Sequence, residues 1–461
     1  MIEIFDKSKF KEHKQLLEPD VRRKITQSNI RFLNAFENSK LQYSDLDLAK
    51  SKASRIKYSV LHELDKHLIE FETNFVQHGG KVVWTQNEEE AIQEILAIVE
   101  RKKAKSIIKS NALILDEIHL DTHLKNYEVE VKETDLGYYA QANTKGNKSF
   151  HPTFSGLHFS KDDYTNLFHE KFKTSLNNTP TEILKSFRKQ VRDENAKADI
   201  AISSANFLIA DVGAISISEN EGNQLLAAAF CKTQIIVIGI EKMLGSLKDL
   251  NLFISLYATH SYGQKLTAYN TILFGPSLEN ELDGPEEVIV VLVDNGRTNL
   301  LGKIEQRKAL SCIDCGACYN VCPVYETIGG SSYGSSYAGP IGSIISPYLS
   351  DFSAHNHLSY TSSLCGRCTE ICPVNININN LLLFNRNEAI IKKQTSVWER
   401  LLMKGWSYSM SNRGFVDKFS AKYKNWIIRR LIKKIWGEYS SIPIIKEKSF
   451  KQLWEEKNSL K

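Results

Sequence analysis

The stretch CIDCGACYNVCP, residues 312–323, sets four cysteines in the pattern C-x2-C-x2-C-x3-C and ends in proline. Gaps of two residues let the backbone wrap round one corner of a small iron–sulfide cube, so that three thiolates reach three irons. Gly316 allows the close backbone approach that such a turn requires. Zinc sites usually take their ligands from separated C-x2-C pairs, and zinc is the alternative metal. The stretch therefore predicts an iron–sulfur cluster.

A second stretch, SSLCGRCTEICPVNI (362–376), repeats the pattern with Ser362 in the place of the first cysteine. In two-cluster ferredoxins the last cysteine of each run serves the other cluster. A three-cysteine site holds a [3Fe–4S] cluster, or a [4Fe–4S] cluster with water, hydroxyl or another oxygen on its fourth iron. Ser362 Oγ is one candidate for that oxygen, and an ordinary loop serine is the alternative. The predicted ligands are Cys312, Cys315, Cys318 and Cys372 for cluster 1, a [4Fe–4S] cluster, and Cys322, Cys365 and Cys368 for cluster 2.

The bulk composition is that of a cytoplasmic protein. A length of 461 residues predicts two or more domains, and 42% hydrophobic with 25% charged residues is ordinary for a globular chain. The N-terminal residues lack the apolar core of a signal peptide, and the longest apolar runs are too short to span a bilayer. Clustered cysteines in such a chain indicate metal chemistry, since disulfides are rare in the cytoplasm. The eighth cysteine, Cys231, is expected to be a buried small hydrophobe.

Upstream of the cysteines the pattern changes from helical to α/β. Residues 1 to about 100 are mostly helical in periodicity, and from 105 to about 300 near-continuous Val and Ile runs alternate with helical segments. Runs of this kind are typical of a largely parallel sheet covered on both faces. We therefore predict a doubly wound α/β domain, followed by a helical iron–sulfur domain. The expected limits are an N-terminal helical extension (1–60), the α/β domain (61–302), a two-cluster ferredoxin-type domain (303–390) and a basic helical C-terminal region (391–461).

The C-terminal region carries 17 Lys and Arg against 6 Asp and Glu, whereas the rest of the chain is mildly acidic. It also contains a predicted helix with an apolar stripe, formed by Trp426, Ile427, Leu431, Ile435 and Trp436, with Arg429, Arg430, Lys433 and Lys434 around it. Such a helix docks an acidic partner, packs on its own domain, or lies on an anionic membrane. We expect no nucleic-acid binding, given a sequence pI near 8.5.

The two cysteine runs and the segments around them resemble the lactate utilization protein B family. This family consists of iron–sulfur proteins with an N-terminal LUD domain, whose fold is similar to the NagB/ribose-isomerase/CoA-transferase group. The resemblance covers about 60–435, and the family's cluster cysteines fall on all seven predicted positions. The segments that carry it include KSNALILDEI, EVKETDLGYYAQ, ANFLIADVGAISISENEGN, VIGIEK, DGPEEVIVVLVDNGRTNLL and GGSSYGSSYAGPIG.

The resemblance implies the electron-transfer component of a three-protein system that oxidises L-lactate to pyruvate. The implied partners are a cysteine-rich CCG-type protein and a smaller LUD-domain protein. Two alternatives remain open: a redox-sensing or scaffold protein whose LUD domain binds a metabolite without turnover, and a LUD domain that is itself catalytic toward CoA or carboxylate substrates.

Four further residues are weaker candidates for an LUD-domain site. Glu219 and Glu221 lie in SENEGN (218–223), where a nucleophilic carboxylate or a capping turn is possible. Lys242 and Arg297 follow buried strands, where α/β folds place ligand sites. Either cation would hold a carboxylate or phosphate there, and the alternative is an ordinary charge of a surface turn. Relatives usually have Gly-Arg after NEGN, where this chain has Gln-Leu-Leu. The lost positive charge weakens the case for an anion site.

Overall fold

The structure is a computed structural model, and it describes residues 17–110, 112–144, 149–281, 283–395, 397–412, 414, 420–436 and 444–459. The described residues up to Asn387 form one compact unit, and those from Glu388 onward belong to a second. The predicted boundary between the α/β and cysteine-rich domains, at 302/303, falls inside the first unit. The domain limits given above stay predictions.

Six parallel strands form the main sheet of the first unit, in the order β1–β10–β7–β4–β2–β3. Their bounds are β1 Lys81–Thr85, β2 Ser106–Lys109, β3 Glu130–Glu133, β4 Ile200–Ser203, β7 Thr233–Gly239 and β10 Glu287–Val293.

Both faces of this sheet are buried. Along β10, Val290 belongs to the core on one face and Val291 to the core on the other. A strand buried on both faces has no polar side to alternate with, which explains the uninterrupted Val and Ile runs. The prediction of a parallel-sheet α/β core is confirmed. The doubly wound class and the likeness to the NagB group stay predictions.

A second, four-stranded sheet was not predicted. Its order is β8–β5–β6–β9, and its strands are β5 Phe207–Ile209, β6 Ala214–Glu219, β8 Met243–Leu244 and β9 Tyr269–Leu273. The sequence predicted a largely parallel sheet for the whole region from 105 to about 300, whereas β5 and β6 form an antiparallel hairpin. Only residues 210–213 join them, too few for the crossover that a parallel pair needs.

Helices cover the sheets, and the first three of them, with one 3-10 helix, come before β1 in the chain. In chain order they are α1 Pro19–Ser39, α2 Leu46–His62, α3 Leu64–Gln77, α4 Glu88–Lys102, α5 Leu113–Glu117, α6 Leu120–Leu124, α7 Leu136–Asn143, α8 Lys161–Phe172, α9 Pro180–Asn195, α10 Asn223–Phe230, α11 Leu247–Tyr262 and α12 Arg297–Leu301, with the 3-10 helix η1 Lys40–Gln42. The side chain of Asn87 caps α4, and those of Ser160 and Thr179 start α8 and α9 with capping boxes.

The cysteine-rich segment consists of short helices and 3-10 turns. They are η2 Gln306–Ser311, α13 Ala317–Asn320, α14 Pro323–Ile328, η3 Ser331–Tyr333, α15 Gly339–Leu349, α16 Phe352–His355, η4 Asn356–Thr361, α17 Arg367–Glu370 and α18 Ile378–Ile391. Their buried side chains share one core with those of β5, β6 and α11. The cysteine-rich segment therefore packs as part of the first unit.

The N-terminal helices hold the two parts of this unit together. Lys50 on α2 donates a hydrogen bond to the carbonyl of Glu370, 2.7 Å away in the cysteine-rich segment. Lys57, about two helical turns further along α2, is fully buried and donates to the carbonyls of Glu241 and Met243 in the α/β part. The sequence predicted helices here but not this bridging role. Residues 1–16 of the predicted extension lie outside the described residues.

The second unit contains the basic C-terminal helices α19 Val397–Ser411, α20 Ala421–Trp436 and α21 Phe450–Ser459. Trp426 on α20 is 53% exposed, and the guanidinium of Arg430 lies 5.6 Å from the centre of its ring. The side chains of Ile427 and of residues 431–436 in the predicted stripe lie outside the described residues. None of the helices in the described part of the chain combines the length and apolarity that crossing a bilayer requires.

Gly213, in the β5–β6 turn, should be among the least replaceable residues of the fold. Its φ is 56°, and a Cβ there would lie 2.4 Å from the backbone nitrogen of Phe75. We expect Gly213→Ala to destabilise the protein by about 2–5 kcal/mol, from left-handed backbone strain and overpacking. Gly302→Ala, where φ is −64° and the nearest atom is 3.4 Å away, is the control and should change little. Anaerobic thermal unfolding by circular dichroism measures both, and equal melting temperatures would contradict the prediction.

Candidate functional site

The four cysteines predicted for cluster 1 surround one cavity. Cys312 follows η2, Cys315 and Cys318 flank the start of α13, and Cys372 follows α17. Their neighbours around this cavity are mainly apolar, among them Leu113, Ile313, Ile341, Val374, Ile376 and Ile378. The structure thus brings together thiols from two segments of the chain, as the ferredoxin pairing requires.

Gly316 lets the cysteine turn pack closely against the α/β part of the chain. Its φ is 72°, and the ring of His151 lies where a side chain would stand, 2.4 Å from the position of a Cβ. His151 comes from the α/β part and is bonded through Nε2 to Asn320 at 3.0 Å. Burial lowers the pKa of His151 to about 3, so the ring is neutral and acts as packing for the cysteine turn.

Backbone N–H groups point at the sulfurs. The amide of Asp314 donates to Cys312 Sγ at 3.4 Å, and the amide of Ile376 donates to Cys372 Sγ at 3.3 Å. Such bonds favour the charged form of a thiol and tune the reduction potential of a cluster.

Burial opposes ionisation of these thiols in the absence of metal. Burial raises the pKa of Cys315 to about 12 and raises that of Cys318 well above its ordinary value. Metal ligands must be thiolates, so the positive charge that compensates them has to come from a bound metal. The donor set therefore fits an iron–sulfur cluster.

The three cysteines predicted for cluster 2 form a second group. Burial, followed by the neighbouring sulfurs of Cys322 and Cys365, raises the pKa of Cys368 to about 12. The amide of Tyr325 donates to Cys322 Sγ at 3.5 Å. Cys365 is exposed, whereas all four cysteines of the first group are buried or half-buried. Of the two sites, the second is therefore the nearer to solvent.

Neither group is arranged like the ligands of one ion. Within the residues that the structure describes, no three His, Cys, Asp or Glu side chains are placed to hold a single metal ion together. In a cluster each thiolate binds a different iron, so the sulfurs surround a space instead of meeting at one point. The four thiols of Cys312, Cys315, Cys318 and Cys372 are arranged in this way.

A polar cavity of about 160 Å³ adjoins the first cysteine group. It lies at the carboxyl ends of the parallel strands, beside Ser110 after β2, Ser204 after β4 and Gly239 at the end of β7. Open α/β sheets bind ligands at this edge. Asp314 and Tyr337 of the cysteine-rich segment line both this cavity and the one between the cysteines, so a single wall separates the two.

Arg297, proposed above as an anion ligand, is fully engaged with protein groups. It is 1% exposed, and its guanidinium forms a bidentate pair with Glu117 at 2.8 Å and a third bond to Glu241 Oε2 at 2.7 Å. The hydroxyl of Tyr337 donates to Glu117 at 2.7 Å and accepts from Arg297 at 3.2 Å. These four residues, Arg297, Glu117, Glu241 and Tyr337, are called the arginine network below. Arg297 is therefore neither a free anion ligand nor the exposed charge of a surface turn, because it is buried and paired within the protein.

Lys242 is similarly paired. Its Nζ lies 2.6 Å from Asp314 Oδ2 and donates to the carbonyl of Cys312 at 3.0 Å. Burial alone would lower the pKa of Lys242, but the carboxylates of Asp314 and Glu241 raise it above its ordinary value. Lys242 is thus a permanent cation beside the first cysteine group.

The two glutamates of SENEGN differ in role. Glu219 is buried and accepts hydrogen bonds from the amides of Gln224 and Leu225 at 3.0 Å, so it caps α10. Glu221 lines the polar cavity with its side chain still exposed, and partial desolvation there, followed by the carboxylate of Asp135, raises its pKa. The capping hypothesis holds for Glu219 only.

Sequence reasoning missed Glu117, Tyr337 and Lys57. Glu117 ends a five-residue helix, and Tyr337 lies in a Gly- and Ser-rich stretch that predicts only a loop. A charged residue shortly after a buried strand, such as Arg297, was a signal that partners were needed, but nothing in the sequence identified them.

Comparison with known proteins agrees with this architecture. The LUD domain family matches residues 68–293, and the 4Fe-4S dicluster domain family matches residues 308–376. The fold and the cysteine sites thus define an iron–sulfur protein that joins a LUD domain to a dicluster domain.

Curated relatives give the family. Lactate utilization protein B of Geobacillus sp. (strain WCH70) is 40% identical over 81% of this chain and 78% of its own length, and that of Bacillus subtilis is 39% identical over 79% and 76%. The chain belongs to the lactate utilization protein B family. A solved DUF162 family protein from Deinococcus radiodurans matches 50% of this chain and 98% of its own, with 12% identity and a TM-score of 0.29, and carries no argument about the fold.

The arginine network should contribute strongly to stability. Replacing Glu117 with Ala removes the bidentate partner and leaves a buried guanidinium partly unpaired, which we expect to cost about 3–5 kcal/mol. The control is Glu286→Ala, which breaks an ion pair with Lys232 whose two side chains are 67% and 78% exposed, and should leave the free energy of unfolding nearly unchanged. Anaerobic urea denaturation compares the two variants, and similar midpoints would refute the role given to Glu117.

Proposed function

We propose that this chain is the iron–sulfur electron-transfer component of a multi-protein system that oxidises L-lactate to pyruvate. The observation that carries the proposal is the meeting of Cys312, Cys315, Cys318 and Cys372 around one cavity, with Cys322, Cys365 and Cys368 grouped beside them. Iron–sulfur clusters held by such residues carry single electrons. The name of the relatives supplies lactate as the substrate of the system.

The residues of the chain suit a relay between partners. Oxidation of L-lactate to pyruvate releases two electrons and two protons, and two sites on one chain suit the passage of electrons singly. The first cysteine group is enclosed by apolar side chains, and the amides of Asp314 and Ile376 that donate to its sulfurs favour an added electron there. The exposed Cys365 puts the second group where a partner protein can approach. We propose a cysteine-rich CCG-type protein and a smaller LUD-domain protein as the partners.

The second unit offers a further docking surface. Its helices are basic and expose large apolar side chains, among them Trp406 on α19 and Trp454 on α21. We propose that this unit contacts an acidic partner subunit, with peripheral contact to an anionic membrane as the alternative.

Cysteine substitutions test the ligand sets. Cys318→Ala should lower the iron and acid-labile sulfide of the anaerobically purified protein through loss of the first cluster, and Cys368→Ala through loss of the second. The control is Cys231→Ala, since Cys231 is 1% exposed, belongs to neither group and should leave the metal content unchanged. Iron and sulfide analysis with EPR measures the outcome. Stoichiometric zinc without sulfide in the wild type would refute the proposal.

The charge of the polar cavity argues against lactate binding there. Among the described residues that line it, five are carboxylates, namely Asp135, Glu219, Glu221, Glu241 and Asp314, and two are cations, Lys242 and Arg297. Both of these cations are already ion-paired, with Glu241, Glu117 and Asp314. A carboxylate substrate would meet net negative charge. This favours oxidation of lactate on a partner and electron transfer through this chain.

L-lactate should therefore reduce the clusters only when the partner proteins are present. Anaerobic EPR of the chain alone and of the assembled system, before and after L-lactate, measures this. Reduction of the chain alone would place the substrate site in its own LUD domain, and Glu221→Gln would then test the catalytic alternative.

The scaffold alternative rests on the same cavity, which would suit a neutral or cationic metabolite. Under that alternative, L-lactate leaves the clusters unreduced even in the assembled system.

A further inference from the structure

The two cysteine runs are related by a structural repeat with an offset of fifty residues. The six-residue 3-10 helix η2 (Gln306–Ser311) leads into Cys312, and the six-residue 3-10 helix η4 (Asn356–Thr361) leads into Ser362. The two residues have nearly the same backbone, with φ −58° and ψ 133° at Cys312 and φ −77° and ψ 136° at Ser362. Ser362 therefore occupies the position of a first cysteine in conformation as well as in sequence.

The turn after each residue repeats as well. Asp314 and Leu364 both adopt left-handed backbone, with φ 53° and 55°, and Gly316 and Gly366 follow with φ 72° and 92°. Each glycine precedes a four-residue helix, α13 or α17. Left-handed backbone is unfavourable for a leucine, so the surrounding structure maintains the turn at Leu364 despite the free energy that this conformation costs. Backbone strain of this kind concentrates at functional sites.

The side chains of Cys312 and Ser362 point the same way. Cys312 Sγ accepts a hydrogen bond from the amide of Asp314 at 3.4 Å, and Ser362 Oγ accepts one from the amide of Leu364 at 3.1 Å. Since Cys312 is a ligand of the first cluster in the ligand sets proposed above, the hydroxyl of Ser362 lies where a matching ligand of the second cluster would be.

We propose that Ser362 Oγ is the fourth ligand of the second cluster, completing the set of Cys322, Cys365 and Cys368. The hydroxyl releases its proton to solvent as its oxygen forms a bond to the fourth iron, and no electron is transferred in that step. This inference rests on the cluster ligands of the proposed function.

Another oxygen lies close to this group, but it is otherwise engaged. Asn379 Oδ1 is 3.8 Å from Cys368 Sγ and accepts a hydrogen bond from Thr369 Oγ1 at 3.2 Å. An amide oxygen carries no negative charge, whereas an alkoxide replaces the charge that a thiolate would supply. Asn379 therefore suits a hydrogen-bonding neighbour of the cluster, and Ser362 suits a ligand.

A hard oxygen ligand has chemical consequences. Thiolates are the softer donors and match iron–sulfur clusters better than oxygen does, so an oxygen-bound iron is the most easily lost. The second site is also the more exposed of the two. Loss of this iron would leave a [3Fe–4S] cluster on three cysteines.

Mössbauer spectroscopy of the full-length protein, purified anaerobically with ⁵⁷Fe, tests the assignment. The wild type should show one iron site with the parameters of an oxygen ligand. Ser362→Ala should lose that site, and with it roughly one iron in eight per chain. Ser362→Cys should retain all the iron and show thiolate ligation throughout. The adjacent Ser363→Ala, which changes an exposed serine, is the matched control and should match the wild type.

The outcomes separate this inference from the function on which it rests. A wild type without iron and sulfide would refute the cluster sites themselves. A wild type with both clusters, and a Ser362→Ala spectrum identical to it, would refute Ser362 as the ligand alone. If Ser362→Ala fails to fold, Ser362→Cys decides: an oxygen-ligated iron that persists in this variant overturns the assignment.

Discussion

The joining of the α/β part to the cysteine-rich segment depends on the hydrogen bonds and ion pairs of the buried guanidinium of Arg297. A buried cation is tolerated only when its charge and hydrogen bonds are met by protein groups. Here those groups come from a helix after β2 (Glu117), the turn after β7 (Glu241) and the cysteine-rich segment (Tyr337). Because all of them converge at the carboxyl edge of the sheet, the position of that edge determines where the cysteine-rich segment packs.

This arrangement gives the two cysteine groups different surroundings. The first lies against the LUD domain, where the Lys242–Asp314 ion pair is in contact with it and apolar side chains exclude water. The second has an exposed cysteine and a serine in place of the fourth thiol. Since charge, hydrogen bonding and exposure set the reduction potential of a cluster, we expect clusters at the two sites to differ in reduction potential.

The parallel core and the class of metal site were predictable because both depend on the spacing of residues that are close together in the chain. The Val and Ile runs of β7 and β10 require burial on both faces, and gaps of two residues between cysteines suit one kind of metal site. The hairpin of β5 and β6 was not predicted because an apolar strand has the same composition in either kind of sheet. Its four-residue connection was the signal in the sequence for an antiparallel pair.

The sequence by itself determined the class of metal site and the parallel α/β core, since both depend on the spacing of residues close together in the chain. Only the tertiary structure decided that Arg297 and Lys242 pair within the protein, and that Glu219 caps a helix whereas Glu221 does not. It also decided that Ser362 shares the conformation of Cys312 fifty residues earlier. The physical reason is that a charged or polar side chain is defined by its partners, and here those partners come from segments that meet only when the chain folds.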